Sequence, residues 1–496
     1  MLRPWVLQIE LIRNSDIALH QQIAQKIIEE IKQGRFAVGL ALPGTRELAS
    51  MLGVNRKTVV QAYEEMIAQG WLHSEHKRGT FVSNRILATN YQPKSNSSIN
   101  YHFQNKPYFL NDAFADKQNE IDSICFSAGL ADSRLLPLET LSRAMRHALI
   151  VSNRTNKQSY NDPFGSIILR QSIAQMLNLD RGLHTDIDHI CVVRGSQLGF
   201  FLVARVLINQ GDYIVMEKFC DQLATNAYKS CGAQIISIGQ NENGMDLDAL
   251  ESLCKHKKVR AVHISPHYQI PTTVSMPMLH RRRLLEMANR FDFLIIEDDH
   301  DFEFNFSSTP IYPIASEDCC SRVIYIGSFS QVLAPSFRVG YVAAHKDIIK
   351  QLANEIILID RQGNTVTELA IAELLQNGKI NRHTAKTLKI YDERRTLVNT
   401  LINDELKEFV DFKLPDGGLA LWLNVNPNID MPLLVKNAEL EKVRVVAGDS
   451  FCDDRKPVSA IRLGFANLTD DELNLGIKRL KKAFQKQSFL LSGNLN

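Results

Sequence analysis

Gly327-Ser328-Phe329-Ser330-Gln331, with Arg338 a little further on, follows the apolar run 323–326. Hydroxyls and a guanidinium just past a strand can hold phosphate. The hydroxyls and backbone N–H groups donate, and arginine forks two oxygens. Three more apolar runs end on polar groups. Arg194-Gly195-Ser196-Gln197 makes a Gly-Ser turn that opens a helix, a ready but weak anion site on its own. After Ile264 comes the Pro-rich loop SPHYQIPTTV, which carries Gln269. After Ile296 comes Glu297-Asp298-Asp299-His300, a carboxylate cluster that in isolation reads as a solvated acidic loop.

A different chemistry belongs to the first ninety residues. Asn55, Arg56, Lys57 and Thr58 open an amphipathic stretch, and His76-Lys77-Arg78-Gly79 lies between two short apolar runs. Asn and Arg can read base edges, while Lys and Thr can hold phosphates. Residues 11–90 hold ten Lys/Arg against seven Asp/Glu, and the whole chain carries a net charge of +2. Any nucleic-acid site is therefore local, at the helix start and the hairpin tip.

These groups need elements to hold them. Ile23, Ile27 and Ile31 recur every four residues, which predicts a helix over 19–31 closed by Gly34. Thr45 is expected to cap a short helix over 46–52, and Asn55 to cap a longer one over 56–69, with Gly53 turning between them. Strands at 71–74 and 80–82 would complete a winged helix-turn-helix, whose second helix leads with its N-terminus into the major groove. Residues 85–123 are rich in Asn, Gln, Ser, Lys and Pro and read as a flexible tether. Beyond them, strand-like runs at 190–193, 213–216, 234–238, 261–265, 293–297, 323–326 and 340–344 alternate with helical ones such as 197–208 and 278–290. That alternation predicts an α/β fold: a mostly parallel sheet with helices on both faces, and ligands at the carboxyl ends of the strands.

At 496 residues, 45% hydrophobic and 23% charged, the chain has room for two to four domains with large cores. Its eight cysteines form no Cys-x-x-Cys pair and sit mostly in apolar context, which predicts reduced thiols in a cytoplasmic protein and no metal site. The N-terminus lacks the apolar core of a secretory signal. The longest apolar run, 198–208, is broken by Arg205 and is too short to span a bilayer, so no membrane partner is expected.

The words GRFAVGLALPGTRELASMLGVNRKTVVQAYEEMIAQGWL and KRGTFV resemble the GntR-type winged helix. That resemblance puts Arg46, Arg56, Thr58 and Gly79 at or near double-stranded DNA. With the residues read above, the candidate DNA-binding set is Thr45, Arg46, Asn55, Arg56, Lys57, Thr58, Lys77, Arg78 and Gly79.

The later loops, together with YNDPFG (160–165), GLALWL (418–423) and RLGFANL (462–468), resemble the fold-type I aminotransferases. The version fused to a GntR-type head is the MocR family of transcription regulators. The resemblance implies a winged helix over 1–84, a tether over 85–123, a large aminotransferase-like domain over 124–390, a small C-terminal subdomain over 391–488 and a tail over 489–496. It also implies a homodimer, with an amine, an amino acid or pyridoxal phosphate as effector. Asp298 matches the aspartate that holds the cofactor's protonated ring nitrogen. Ser196, Ser328, Ser330 and Arg338 match the phosphate cup. Gln269 lies in a cofactor loop, and His300 replaces the usual tyrosine near the cofactor oxygen. Arg462 lies where a substrate carboxylate is commonly met.

Where the family's lysine forms a Schiff base with pyridoxal phosphate, this chain has Gln331. A carboxamide cannot form an imine. The family's E-D-P-G-Y loop is here Glu217-Lys218-Phe219-Cys220-Asp221, its Ser-His-Gln loop is His267-Tyr268-Gln269, and its later glycine is Thr273. The expectation is a DNA-binding regulator with no catalytic lysine, in which the cofactor binds without a covalent bond. The other readings are a working aminotransferase, with Lys218 or Lys346 as the nearby lysines, and a DNA-binding dimer that ignores pyridoxal phosphate.

Overall fold

The computed structural model describes residues 9–13, 15–75, 78–84, 123–126, 129–154, 160–307, 309, 311–319, 321–453 and 456–492, without the side chains of 488–492. Residues 85–122 of the expected tether, and His76 and Lys77 of the expected wing tip, lie outside them. The chain divides into two compact units, Met1–Lys106 and Pro107–Asn496.

In the first unit, helix α1 (Leu19–Lys32) turns Ile23, Ala24, Ile27 and Ile31 inward. They meet Leu48 of α2 (Thr45–Leu52) and Val59 and Met66 of α3 (Arg56–Ala68). The Tyr63 hydroxyl donates to Pro43 O at 2.8 Å and ties α3 to the turn before α2. Strands β1 (Leu72–Glu75) and β2 (Gly79–Val82) form an antiparallel hairpin with Leu72 opposite Val82. Gly53 ends α2 in the left-handed region at φ 61°, where glycine is unstrained. Asn55 caps α3 as expected, its side chain accepting from Lys57 N at 2.9 Å. Thr45 does not cap α2. It is the first helical residue, and Gly44 takes the N-cap without a side-chain bond, since glycine serves there nearly as well as a hydroxyl residue.

The second unit is built on a seven-stranded sheet of β3 (Ile190–Val193), β4 (Tyr213–Glu217), β5 (Gln234–Ile238), β6 (Val259–Ile264), β7 (Leu294–Asp299), β8 (Val323–Ser328) and β9 (Gly340–Ala343). The order is β3-β9-β8-β7-β6-β4-β5. Only β9 runs against its neighbours. The strands are Val/Ile-rich runs because both faces are covered. Val192, Tyr325 and Tyr341 pack on one face with Ile173, Leu177 and Ala370, while Cys191 and Val193 pack on the other with Phe200, Val203 and Ile349. A smaller antiparallel sheet holds Val410–Asp411, Ala420–Val425, Ala460–Gly464 and Val446–Ala447. Helices Lys379–Glu405 and Asp470–Ser492 cover it through Val398, Ile402, Ile477 and Leu480. Among the described residues, no helix is long and apolar enough to cross a membrane.

Candidate functional site

The acidic run lies on strand β7, and the strand's period of two splits it. Glu297, Asp298 and Asp299 are buried, unlike the solvated loop that the run suggests in isolation. Glu297 accepts from Ile314 N and Ala315 N at 2.8 and 2.9 Å. Asp299 accepts from Tyr325 OH and, at 3.3 Å, from Arg181 Nε. Asp298 points the other way, toward the carboxyl ends of β6 and β8. Its one hydrogen-bond donor is Ser265 Oγ at 3.4 Å. Burial pushes its carboxyl up to about 7, with His300 pulling down and Asp221 pushing up.

Gln331 is only 4% exposed. Its amide N–H donates to His300 Nε2 across 2.8 Å, and its carbonyl oxygen accepts from Ala131 N at 3.4 Å. Sheet and loop thus bring Asp298, His300 and Gln331 to one place.

Beside them lies a corner of donors. Ser328 Oγ donates to Ser330 Oγ at 3.0 Å and accepts from Ser330 N at 3.2 Å. Ser328 pairs with Gly340 across the sheet, and Gly340 with Val193 at the end of β3. Two residues on, Gly195 at φ 79° is the N-cap of helix Ser196–Leu207. The backbones here nearly touch: a Cβ on Gly340 would sit 2.8 Å from Gly327 O and 3.0 Å from Gly195 Cα. Arg338, exposed and left-handed at φ 50°, donates to Arg194 O at 2.8 Å and lays its guanidinium against Gly195. A helix N-terminus, a guanidinium and paired hydroxyls therefore face one corner, which suits an anion.

Other expected residues are placed differently. Gln269 is buried, and its amide ties two loops together, donating to Phe219 O and accepting from Thr272 N at 3.1 Å. Arg462 is buried and donates to Pro271 O at 2.7 Å. Burial lowers its pKa to about 10, with Asp301 opposing. Lys218 is exposed, its ammonium 5.5 Å from the Phe219 ring, and Lys346 is exposed at the start of helix Lys346–Ile359.

The site also holds residues that sequence reasoning did not single out as ligand groups. Asp221 caps helix Gln222–Ser230, accepting from Leu223 N at 2.9 Å, and burial raises its pKa against the pull of His300. Asp301 is 1% exposed, and its Oδ1 lies 3.8 Å from His300 Nε2. Burial raises its pKa, while His300, Arg462 and the nearby Leu419 N–H lower it. Neither of its oxygens closes a hydrogen bond of good geometry. Each residue adjoins a stretch that was read for chemistry, yet only the fold turns both toward His300. Among the described residues, no three His, Cys, Asp or Glu side chains could hold a metal ion together.

In the first unit, Arg46, Asn55, Arg56 and Lys57 are exposed at the starts of α2 and α3, with Thr45 and Thr58 half-buried among them. Arg56 Nε donates to Thr45 Oγ1 at 3.5 Å, so the two helix starts adjoin. At the hairpin, Arg78 pairs with Glu75 at 2.5 Å in the open, and Gly79 sits at φ 126°, a conformation that favours glycine.

The family model "Aminotransferase class I and II" matches residues 126–480, and "Bacterial regulatory proteins, gntR family" matches residues 19–82. This chain belongs to the class I and II aminotransferase family. Its gntR-family head on an aminotransferase-family domain is the MocR-type layout. The probable rhizopine catabolism regulatory protein MocR of Rhizobium meliloti is 26% identical over 482 residues, 95% of this chain and 95% of that protein. Aromatic-amino-acid aminotransferase 1 of Thermococcus litoralis is 29% identical over 395 residues, 77% of this chain and 94% of that one. The solved multiple substrate aminotransferase of Thermococcus profundus is 30% identical, with a TM-score of 0.69 over 74% of this chain and 92% of its own. The aminotransferase relative matches only part of the chain, whereas the regulator spans nearly all of it.

Proposed function

We propose that this aminotransferase-family chain is a DNA-binding transcription regulator that takes pyridoxal phosphate, or a close relative of it, as a non-covalent effector. The observation that carries this reading is Gln331, buried and hydrogen-bonded to His300 at the position we assign to the family's lysine. The other residues suit the group. Asp298 is a buried carboxylate whose single donor is a hydroxyl at 3.4 Å, and a protonated ring nitrogen would supply the missing cation. Ser328, Ser330, Arg338 and the helix start at Ser196 would hold the phosphate. When bound, such a group supplies an electron-withdrawing ring.

Gln331 cannot complete the chemistry. Its nitrogen has no basic lone pair, so it neither bonds to the aldehyde nor carries protons. Losing a positioned acid–base group alone slows a reaction by ~10²–10⁴-fold. The exposed Lys218 and Lys346 offer no buried substitute.

The head supplies the output. Arg46, Asn55, Arg56, Lys57 and Thr58 present a polar and basic surface at two helix starts, as expected of a reader of the major groove. A homodimer in the cytoplasm would favour paired half-sites on DNA. An effector acts on such a dimer only if it binds two arrangements of the heads unequally.

The test combines two measurements on the purified protein. Pyridoxal phosphate is titrated and treated with borohydride before peptide mass mapping, and DNA affinity is measured with and without it. Saturable binding, no fixed peptide and a changed DNA affinity support the reading. A borohydride-fixed lysine overturns it and makes the chain a candidate enzyme. Absent binding leaves a DNA-binding dimer.

A further inference from the structure

Resting on that reading of the pocket, we propose that it selects the amine form of its ligand over the aldehyde: pyridoxamine phosphate, or another phosphorylated pyridine bearing a primary ammonium. The charges around His300 carry the argument. His300 acts on Asp221, Asp298 and Asp301, and each of these carboxyls is raised by burial. Asp301 is the most deeply buried of the three, with the Leu419 N–H and Arg462 acting on it. It is 1% exposed, its Oδ1 faces His300 Nε2 at 3.8 Å, and neither oxygen closes a hydrogen bond of good geometry. Burial favours the neutral acid, and a cation placed beside such a carboxyl is what would stabilise its charged form.

The chain does not provide that cation nearby. Residue 331, where the family's lysine would bring an ammonium, is a neutral amide whose N–H is bonded to His300. Arg462 acts on Asp301 from a distance, but its Nη1 donates to Pro271 O at 2.7 Å. A primary ammonium on the ligand brings three donors and a positive charge. It can meet Asp301 and Gln331 Oε1, whose present donor, Ala131 N, is 3.4 Å away. An aldehyde brings only acceptor lone pairs and would face carboxylate oxygens. With a lysine, the aldehyde would be favoured through bond formation, and with Gln331 that advantage is gone.

The experiment is calorimetric titration of the full chain with pyridoxamine phosphate, pyridoxal phosphate and deoxypyridoxine phosphate, which carries a methyl group instead. The expected result is ~10-fold or tighter binding of the amine than of either other ligand, the size of one charge-assisted hydrogen bond. Asp301→Asn should remove most of that advantage, and Asp221→Asn offers a second variant if the first fails to fold. Equal or tighter binding of pyridoxal phosphate would overturn the inference and leave the non-covalent reading standing. Binding of none of the three would overturn the pocket itself, and the inference with it.

Discussion

Gln331 Nε2 lies 2.8 Å from His300 Nε2, and this hydrogen bond puts a neutral amide beside a ring that Asp301 Oδ1 approaches to 3.8 Å. The pair has a directional consequence. The amide nitrogen can only donate, so with the ring neutral this bond takes up the lone pair of His300 Nε2.

Gln331→Lys tests how much of the old chemistry the pocket keeps. The substitution forfeits the amide's two hydrogen bonds, to His300 and from Ala131 N, each a net loss of about 0.5–1.5 kcal/mol. The new ammonium gains Asp298 and Asp301 as counter-charges, so the fold should tolerate it with a melting shift of a few degrees. With pyridoxal phosphate and borohydride, the variant should yield a fixed peptide containing position 331 and the parent none. If the introduced lysine stays unmodified at saturating ligand, position 331 does not meet the ligand's aldehyde.

Asp298 predicts a pH dependence. Its folded carboxyl sits at about 7 and Glu217 at about 8, both through burial, against ordinary values of 3.8 and 4.5. The folded state therefore binds more protons than the unfolded one between those limits. Stability then falls as pH rises from about 4 through 7–8. The melting temperature of the ligand-free chain should drop across this window, and Asp298→Asn should flatten part of the drop. A ligand with a protonated ring stabilises the Asp298 anion, so its stabilising effect should grow from pH ~5.5 to ~7.5. A melting temperature that rises over the same window would contradict the assigned burial.

Much of this was legible in the chain because the sheet is parallel and fully covered. The run Ile190-Cys191-Val192-Val193 is apolar at every position, and the structure makes it a strand with the same ends, while Leu294–Asp299 and Val323–Ser328 run on into polar residues that the expected strands left out. The head was legible for the opposite reason, since helix periodicity, Gly53 and the Asn55 cap are local signals. What escaped depends on tertiary placement. Asp298 was singled out by its resemblance, but the core partners of its neighbours, Ile314 N and Ala315 N on Glu297 and Tyr325 and Arg181 on Asp299, come from distant parts of the chain. Asp301, next to His300, was not singled out, yet it is 1% exposed beneath Gly418. Gln269 was matched by its loop, but its amide turned out to be held by Phe219 and Thr272.

Gly340 and Gly195 should respond differently to alanine. At Gly340 the added methyl would meet backbone, Gly327 O at 2.8 Å and Gly195 Cα at 3.0 Å, and neither can step aside. Gly340→Ala should lower stability by about 1–3 kcal/mol, read as a shift in the urea midpoint. At Gly195 the methyl meets the end of the flexible Arg338 side chain at 2.9 Å, and the cost is mainly the positive φ of 79°. Gly195→Ala should cost about 1 kcal/mol while displacing the guanidinium, so phosphate-bearing ligands bind more weakly. Equal loss of stability in both variants would argue against the close backbone crossing at Gly340.

In the head, the exposed residues should separate by role. Lys57→Ala removes a phosphate partner, so affinity should fall for every sequence and the slope of log K against log salt should shrink by about 0.9. Arg56→Ala should cost ~1–3 kcal/mol at the base it reads and relax preference at that position only. Asn55→Ala confounds the two, because its side chain also caps α3 through Lys57 N at 2.9 Å, and the lost cap costs about 0.5–2 kcal/mol of stability. Arg78 is held by exposed Glu75 in a pair worth little, so Glu75→Gln should free it for a phosphate and steepen the salt slope slightly. These measurements are made by fluorescence anisotropy on operator and scrambled duplexes at several salt concentrations. If Arg56→Ala and Lys57→Ala both leave the curves unmoved, the helix starts are not the DNA-reading surface.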